Sequence, residues 1–247
     1  MKKTLIMLIT ILVLKPLYAN DLYTVINPTA GILGKGEARI HQKVFKHNGM
    51  IIGTDVGLFD NFYFGVAYGA EQVVGDQKPI WYNKVDFHAR FRIINETLTT
   101  PAIAIGVDTH GNGAYYKSQR RYDYKSKGAY CVASKNFEFL GLIGFDFGFN
   151  YTFEGKNDNE ESFDIFTGVY KTIGQSLVIF SDFSAGINDN DKNCDLSGRS
   201  RGYFNTGAQL KINEQLTIKL LMHDLFENKR NTNYFDRAIV IDYRWFF

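Results

Sequence analysis

The chain has 247 residues, 45% of them hydrophobic and 15% aromatic, with a formal net charge of +2 and a mean hydropathy of −0.20. Near-neutral charge excludes the strongly basic tracks that grip nucleic acid, so no nucleic-acid partner is expected. The 23 glycines and 15 tyrosines argue against a helical membrane bundle, and aromatic richness with modest hydropathy suits strands that carry one lipid face and one watery face.

In chain order, residues 1–19 place Lys2 and Lys3 before an apolar run from Leu5 to Leu14, then Lys15-Pro16 and Ala19. That is the pattern of a secretory signal peptide cut before Asn20. The apolar run is too short to cross roughly 30 Å of hydrocarbon. No Cys follows Ala19, so no lipid anchor is expected there. Residues 20–36, with Pro28, Gly31, Gly34 and Gly36, form a pre-barrel segment. Two readings stand open for it: a plug folded into a lumen, or a periplasmic tail.

From residue 37 onward the apolar pattern has period two. Candidate strands cover 37–46, 50–59, 62–73, 84–94, 101–109, 128–134, 141–153, 162–170, 176–185, 202–212, 215–225 and 235–247. The fold class is all-β: a transmembrane antiparallel up-and-down β-barrel over residues 37–247. About 12 strands are expected, an even number that lets a single chain close, with 10 as the alternative should a hairpin near 37–59 be lost. Links at 60–61, 95–100, 135–140, 171–175 and 213–214 are short. Those at 74–83, 110–127, 154–161, 187–201 and 226–234 are longer and more polar. Short periplasmic turns opposite longer external loops would put both barrel ends in the periplasm of a Gram-negative-type cell.

The last stretch, FDRAIVIDYRWFF, sets Arg237, Ile239, Ile241, Tyr243, Trp245 and Phe247 on one face and Ala238, Val240, Asp242, Arg244 and Phe246 on the other. Its ending resembles the closing strand of bacterial outer-membrane barrels. Tyr243, Trp245 and Phe247 would then serve as membrane girdle and as the signal read by the barrel-assembly machinery. Parity along the strands also nominates a polar lumen network of Arg39, His41, Asp55, Asp86, His88, Arg90, Arg92, Asp108, Asp242 and Arg244. Such a lumen is either a water-filled path whose arginines suit anionic sugars or an ion-paired interior that conducts nothing. Its mixed charge favours the second. The loop 110–127 carries Tyr115, Tyr116, Lys117, Arg120 and Arg121, a mixture suited to surface contact with glycan or lipopolysaccharide.

Candidate chemistry is sparse. His110-Gly111-Asn112-Gly113 is similar to the loop of the outer-membrane phospholipase, but Asn112 stands where that family has its nucleophilic Ser. Without a nucleophile beside the base no catalytic residue is expected. Asp189, Asp191, Asn193 and Asp195 echo the start of a calcium loop. However, Cys194 replaces the turn glycine and Ser200 the closing Glu, so neither metal nor cofactor is expected. Cys131 and Cys194 are not expected to pair.

Three segments carry a family resemblance: Asn27-Pro28-Thr29-Ala30, the run PAIAIGVD at 101–108, and YCVASKNF at 130–137. Over residues 25–150 the chain resembles the YjbH-like outer-membrane proteins, as a compact single-barrel relative. The resemblance implies a link to exopolysaccharide, with polysaccharide or its export machinery as partner beside outer-membrane lipid and lipopolysaccharide. The expected function is thus a non-enzymatic barrel aiding exopolysaccharide export or surface handling, or a narrow passive channel. The alternatives are a structural or adhesive barrel with a closed lumen and, behind it, a lipid hydrolase.

Overall fold

Alternating side chains with different solvents on their two sides can satisfy every backbone group in lipid only as a closed sheet. The computed structural model describes residues 21–154, 160 and 162–247, so the expected signal peptide lies outside the described residues. The strands are β1 (Glu37–Phe45), β2 (Gly49–Phe59), β3 (Phe62–Glu71), β4 (Ile80–Trp81), β5 (Asp86–Ile94), β6 (Ala102–Asp108), β7 (Asn112–Tyr116), β8 (Arg121–Tyr124), β9 (Gly128–Glu138), β10 (Leu142–Tyr151), β11 (Phe163–Ile173), β12 (Leu177–Ser184), β13 (Tyr203–Lys211), β14 (Leu216–His223) and β15 (Asp236–Phe246).

One sheet runs β2-β1-β15-β14-β13-β12-β11-β10-β9-β6-β5-β3-β4, and pairing of β2 with β3 closes it into a ring of 12 strands with β4 as a short appendage. Every pairing is antiparallel, and β1 meets β15 in an unbroken register from Glu37↔Phe246 to Val44↔Ile239. The 37–59 hairpin pairs along its length, from Ala38↔Val56 to Phe45↔Gly49, which disposes of the ten-strand alternative. Phe87, Phe147, Leu220 and Ile239 are exposed on the outer surface, whereas Asp55, Asp86, Arg90 and Asp146 are buried inside. That inversion is what a lipid-facing barrel requires. No described helix is long and apolar enough to cross a membrane.

Two boundaries differ from expectation. The strand expected to stop at Ser134 continues to Glu138, because the turn is made later by Leu140 and Gly141 at φ 47° and 100°. In β15 the alternation holds through Tyr243 and then lapses. Arg244 and Trp245 are both half-buried, and Phe246 and Phe247 are exposed. Tyr243 and Trp245 stack at 6.0 Å, and the Phe247 N–H donates to Gly36 O at 3.0 Å, tying the chain end to the start of β1.

Candidate functional site

The interior is filled from both ends. From the end at which β1 begins comes the pre-barrel segment, whose Leu22, Asn27 and Leu33 are fully buried. It doubles back at its tip, where Thr24 N–H donates to Asn27 O at 2.9 Å and Thr29 N–H to Leu22 O at 3.1 Å. The segment thus lies inside the ring of strands.

Three successive backbone N–H groups at that tip, from Val25, Ile26 and Asn27, donate to Asp182 Oδ2 at 2.9, 2.8 and 3.0 Å. Asp182 Oδ1 accepts from Asn205 at 2.7 Å, so the carboxylate is fully engaged. Below it, Arg90 donates to Gly31 O at 2.7 Å, Leu22 O at 2.8 Å and Tyr130 Oη at 2.8 Å. The rings of Tyr23 and Tyr63 lie 5.3 Å from its guanidinium. Among the described residues Arg90 has no carboxylate partner. Its charge is solvated by plug carbonyls and tyrosine faces, both of which suit a guanidinium. Arg92 adds a bond to Ala30 O at 2.9 Å. Asp21 meets Arg244 at 3.1 Å and Lys219 at 3.3 Å. Tyr23 Oη donates to Asp108 at 2.7 Å, and burial, reinforced by Asp108, pushes that phenol well up so that it stays protonated.

From the opposite end comes a hairpin that the sequence reading places on the surface. β7 and β8 pair with each other and with no barrel strand. Of the five expected surface residues, Lys117 and Arg120 at the tip are exposed, Tyr115 and Tyr116 are half-buried, and Arg121 is fully buried. The correction has an electrostatic cause. Arg121 meets Asp189 at 2.8 Å, and Asp123 meets both Lys229 and Lys46 at 2.5 Å. Burial works to raise the Asp123 carboxyl, but Lys229 and Lys46 outweigh it and hold it at about 2. Tyr122 packs edge-on to Tyr115 and Tyr82 at 4.9 and 5.4 Å and donates its hydroxyl to Asp86.

Between plug and hairpin the wall supplies the remaining expected lumen residues. Asp55 accepts from Arg39 Nε at 2.7 Å, lies 3.3 Å from His41 Nδ1 and binds His88 Nε2. Gly65 makes room for this cluster, since a Cβ there would collide with the His88 ring and the Asp55 carboxylate. Asp242 lies 3.7 Å from Arg39 and 3.5 Å from Lys219. All ten nominated residues therefore face the interior, seven of them buried and His41, Arg92 and Arg244 half-buried. A cavity of about 90 Å³ remains, where Arg39, Lys43, Lys125, Lys127 and Lys219 outnumber Asp108 and Asp242. Parity along β12 points Asp182 inward and could have nominated it. Nothing in side-chain identity marks the plug amides that it holds.

Neither protein-family models nor curated protein sequences give a match to this chain. Solved structures do. The chain is similar to a KdgM porin at 6% identity and a TM-score of 0.50, over 85% of this chain and 99% of that one. It is equally similar to a NanC porin, at 9% identity and a TM-score of 0.50, again over 85% and 99%. The barrel fold is porin-like.

Elsewhere the geometry gives little chemistry. Among the described residues His110 Nε2 has no hydrogen-bond partner, and Asn112 Oδ1 accepts from Lys43 Nζ. Burial, and then the neighbouring His41, Lys43, His88 and Lys84, hold the imidazole of His110 well below its ordinary value. Asp189 is drawn inward by Arg121 and by Tyr203 Oη, 2.6 Å away. No group of metal-ligating side chains is found among the described residues. Cys131 and Cys194 are free thiols.

Proposed function

We propose that this chain is a non-enzymatic outer-membrane barrel of the passive-channel type, shut in the described conformation and opened when residues 21–36 leave the lumen. One observation carries the reading: the plug is held largely through its backbone, by Arg90, Arg92 and Asp182. Water in an opened lumen can take over the amides, carbonyls and charged side chains that these contacts now satisfy, so withdrawal leaves no buried polar group unpaired. Withdrawal would leave Arg39, Arg90, Arg92, Lys219 and Arg244 lining the wall, a surface that suits water and small polar solutes. The resemblance of residues 25–150 to YjbH-like proteins supports exopolysaccharide export or surface handling as the setting.

A second reading is a closed structural barrel that works through its loops. It is favoured by the buried pairs at the outer mouth, Arg121–Asp189 and Lys229–Asp123, which plug withdrawal does not break. Liposome swelling in a small neutral sugar separates the two. The intact barrel should be impermeable and a form lacking residues 21–35 permeable. Equal impermeability of both, with heat-modifiable migration showing folded barrels, favours the closed structural reading.

A further inference from the structure

The central cavity holds more positive charge than its surroundings neutralise. Lys125, Lys219 and Lys229 are buried and each has a carboxylate within ion-pair distance. Lys43 and Lys127 are equally buried and have none among the described residues. Lys43 reaches the Asn112 side-chain carbonyl, and Lys127 reaches the Ser184 hydroxyl, at 3.0 Å, and the face of the Phe166 ring, 5.1 Å from its centroid. The carboxylates nearby are committed elsewhere. Asp182 takes three plug amides and Asn205, Asp108 takes Tyr23 and the His110 N–H, Asp242 faces Arg39 and Lys219, Asp236 takes Lys46 and the Tyr124 hydroxyl, and Asp164 takes the Ile187 N–H.

An isolated ammonium taken out of water costs several kcal/mol unless something pairs with it. The cavity on which both lysines open has about 90 Å³ for small molecules, room for several waters or one tetrahedral oxyanion. We propose that this cavity is a binding site for one small oxyanion, of the size of inorganic phosphate, held between Lys43 of β1 and Lys127 at the start of β9. Asn112, which lines the cavity, and Ser184, beside it, each hold one of the two ammonium groups by a single neutral oxygen. The site belongs to the closed barrel and stands whether or not the barrel conducts.

The test is thermal unfolding of the refolded barrel against inorganic phosphate, at fixed ionic strength balanced with chloride. The melting temperature should rise and saturate with phosphate. Lys43→Gln and Lys127→Gln should abolish the saturable rise, and each should melt higher than the parent in phosphate-free buffer because a buried unpaired charge has gone. Lys117→Gln, on the exposed hairpin tip, should respond as the parent does. A phosphate response that persists in both buried-lysine variants, or their destabilisation without phosphate, overturns the site. Should those variants fail to fold, calorimetric titration of phosphate into the unmodified barrel decides. Saturable heat at one phosphate per chain supports the site, and none overturns it.

Discussion

Arg90 is where the account is most exposed to test. It is fully buried, lacks a carboxylate partner among the described residues, and gives two guanidinium N–H groups to plug carbonyls, at 2.7 and 2.8 Å. Hydrogen bonds from a charged group contribute about 1.5–3 kcal/mol each, so Arg90→Met removes about 3–6 kcal/mol of attachment. Part is recovered because a desolvated charge disappears as well, which puts the net loss near 3 kcal/mol. At about 1.4 kcal/mol per tenfold change in an equilibrium, the plug should leave about 100-fold more often. Hydrogen exchange of the Val25, Ile26 and Asn27 amides reads this directly, since those N–H groups are protected only while they bond to Asp182. Their protection should fall about 100-fold in Arg90→Met, while β14 and β15 amides keep theirs. Unchanged protection at residues 25–27 in a folded barrel would refute the idea that Arg90 holds the plug.

Other outcomes follow from the same contacts. Asp182→Asn replaces a charged acceptor of three amides with a neutral one, and should cost about 2–4 kcal/mol of plug attachment, seen as faster exchange at residues 25–27. Lys229→Met leaves Asp123 with Lys46 alone and should loosen the outer hairpin by about 3–5 kcal/mol, read as exchange at residues 121–124. Acid acts on the same contact: the Asp123 carboxyl is held at about 2, below its unfolded value near 3.9. Its contribution to hairpin docking is therefore complete above about pH 4 and lost as pH falls toward 2. His110 works in a higher window. Its folded value lies well below the ordinary 6.5, so stability should decline once pH drops below about 6.5, and His110→Gln should flatten the melting temperature between pH 7 and 5. Gly65→Ala should destabilise the barrel by about 1–3 kcal/mol through overpacking against His88 and Asp55, detectable as a lower heat-modification temperature.

The barrel wall was legible because its two solvents impose a period-two code on every strand. Parity placed Asp55, Asp86, His88, Arg90 and Asp108 inside, and the register then sets His88 opposite Asp108. The rims were less legible. Lys135, Asn136 and Glu138 look like a turn, yet they continue β9, which stays paired with β10 as far as Leu142↔Glu138. The hairpin of β7 and β8 misled most. Arg121 reads as part of a wet, sticky surface, and the burial of this hairpin depends on Asp189, 68 residues on from Arg121, and on Lys229, 106 residues on from Asp123. A local pattern cannot report partners that distant. The plug was legible only as a possibility, because it is gripped through amides and carbonyls that every residue possesses.

The most direct measurement is single-channel conductance in a planar bilayer, with heat-modifiable migration confirming that each barrel is folded. Three forms are compared: the barrel from residue 20 onward, a form lacking residues 21–35, and one that also lacks the hairpin 112–124. The account predicts silence from the first, steady conductance from the second and a larger conductance from the third. Silence from the second with conductance from the third would make the hairpin, rather than the plug, the gate. Silence from all three would contradict the channel altogether.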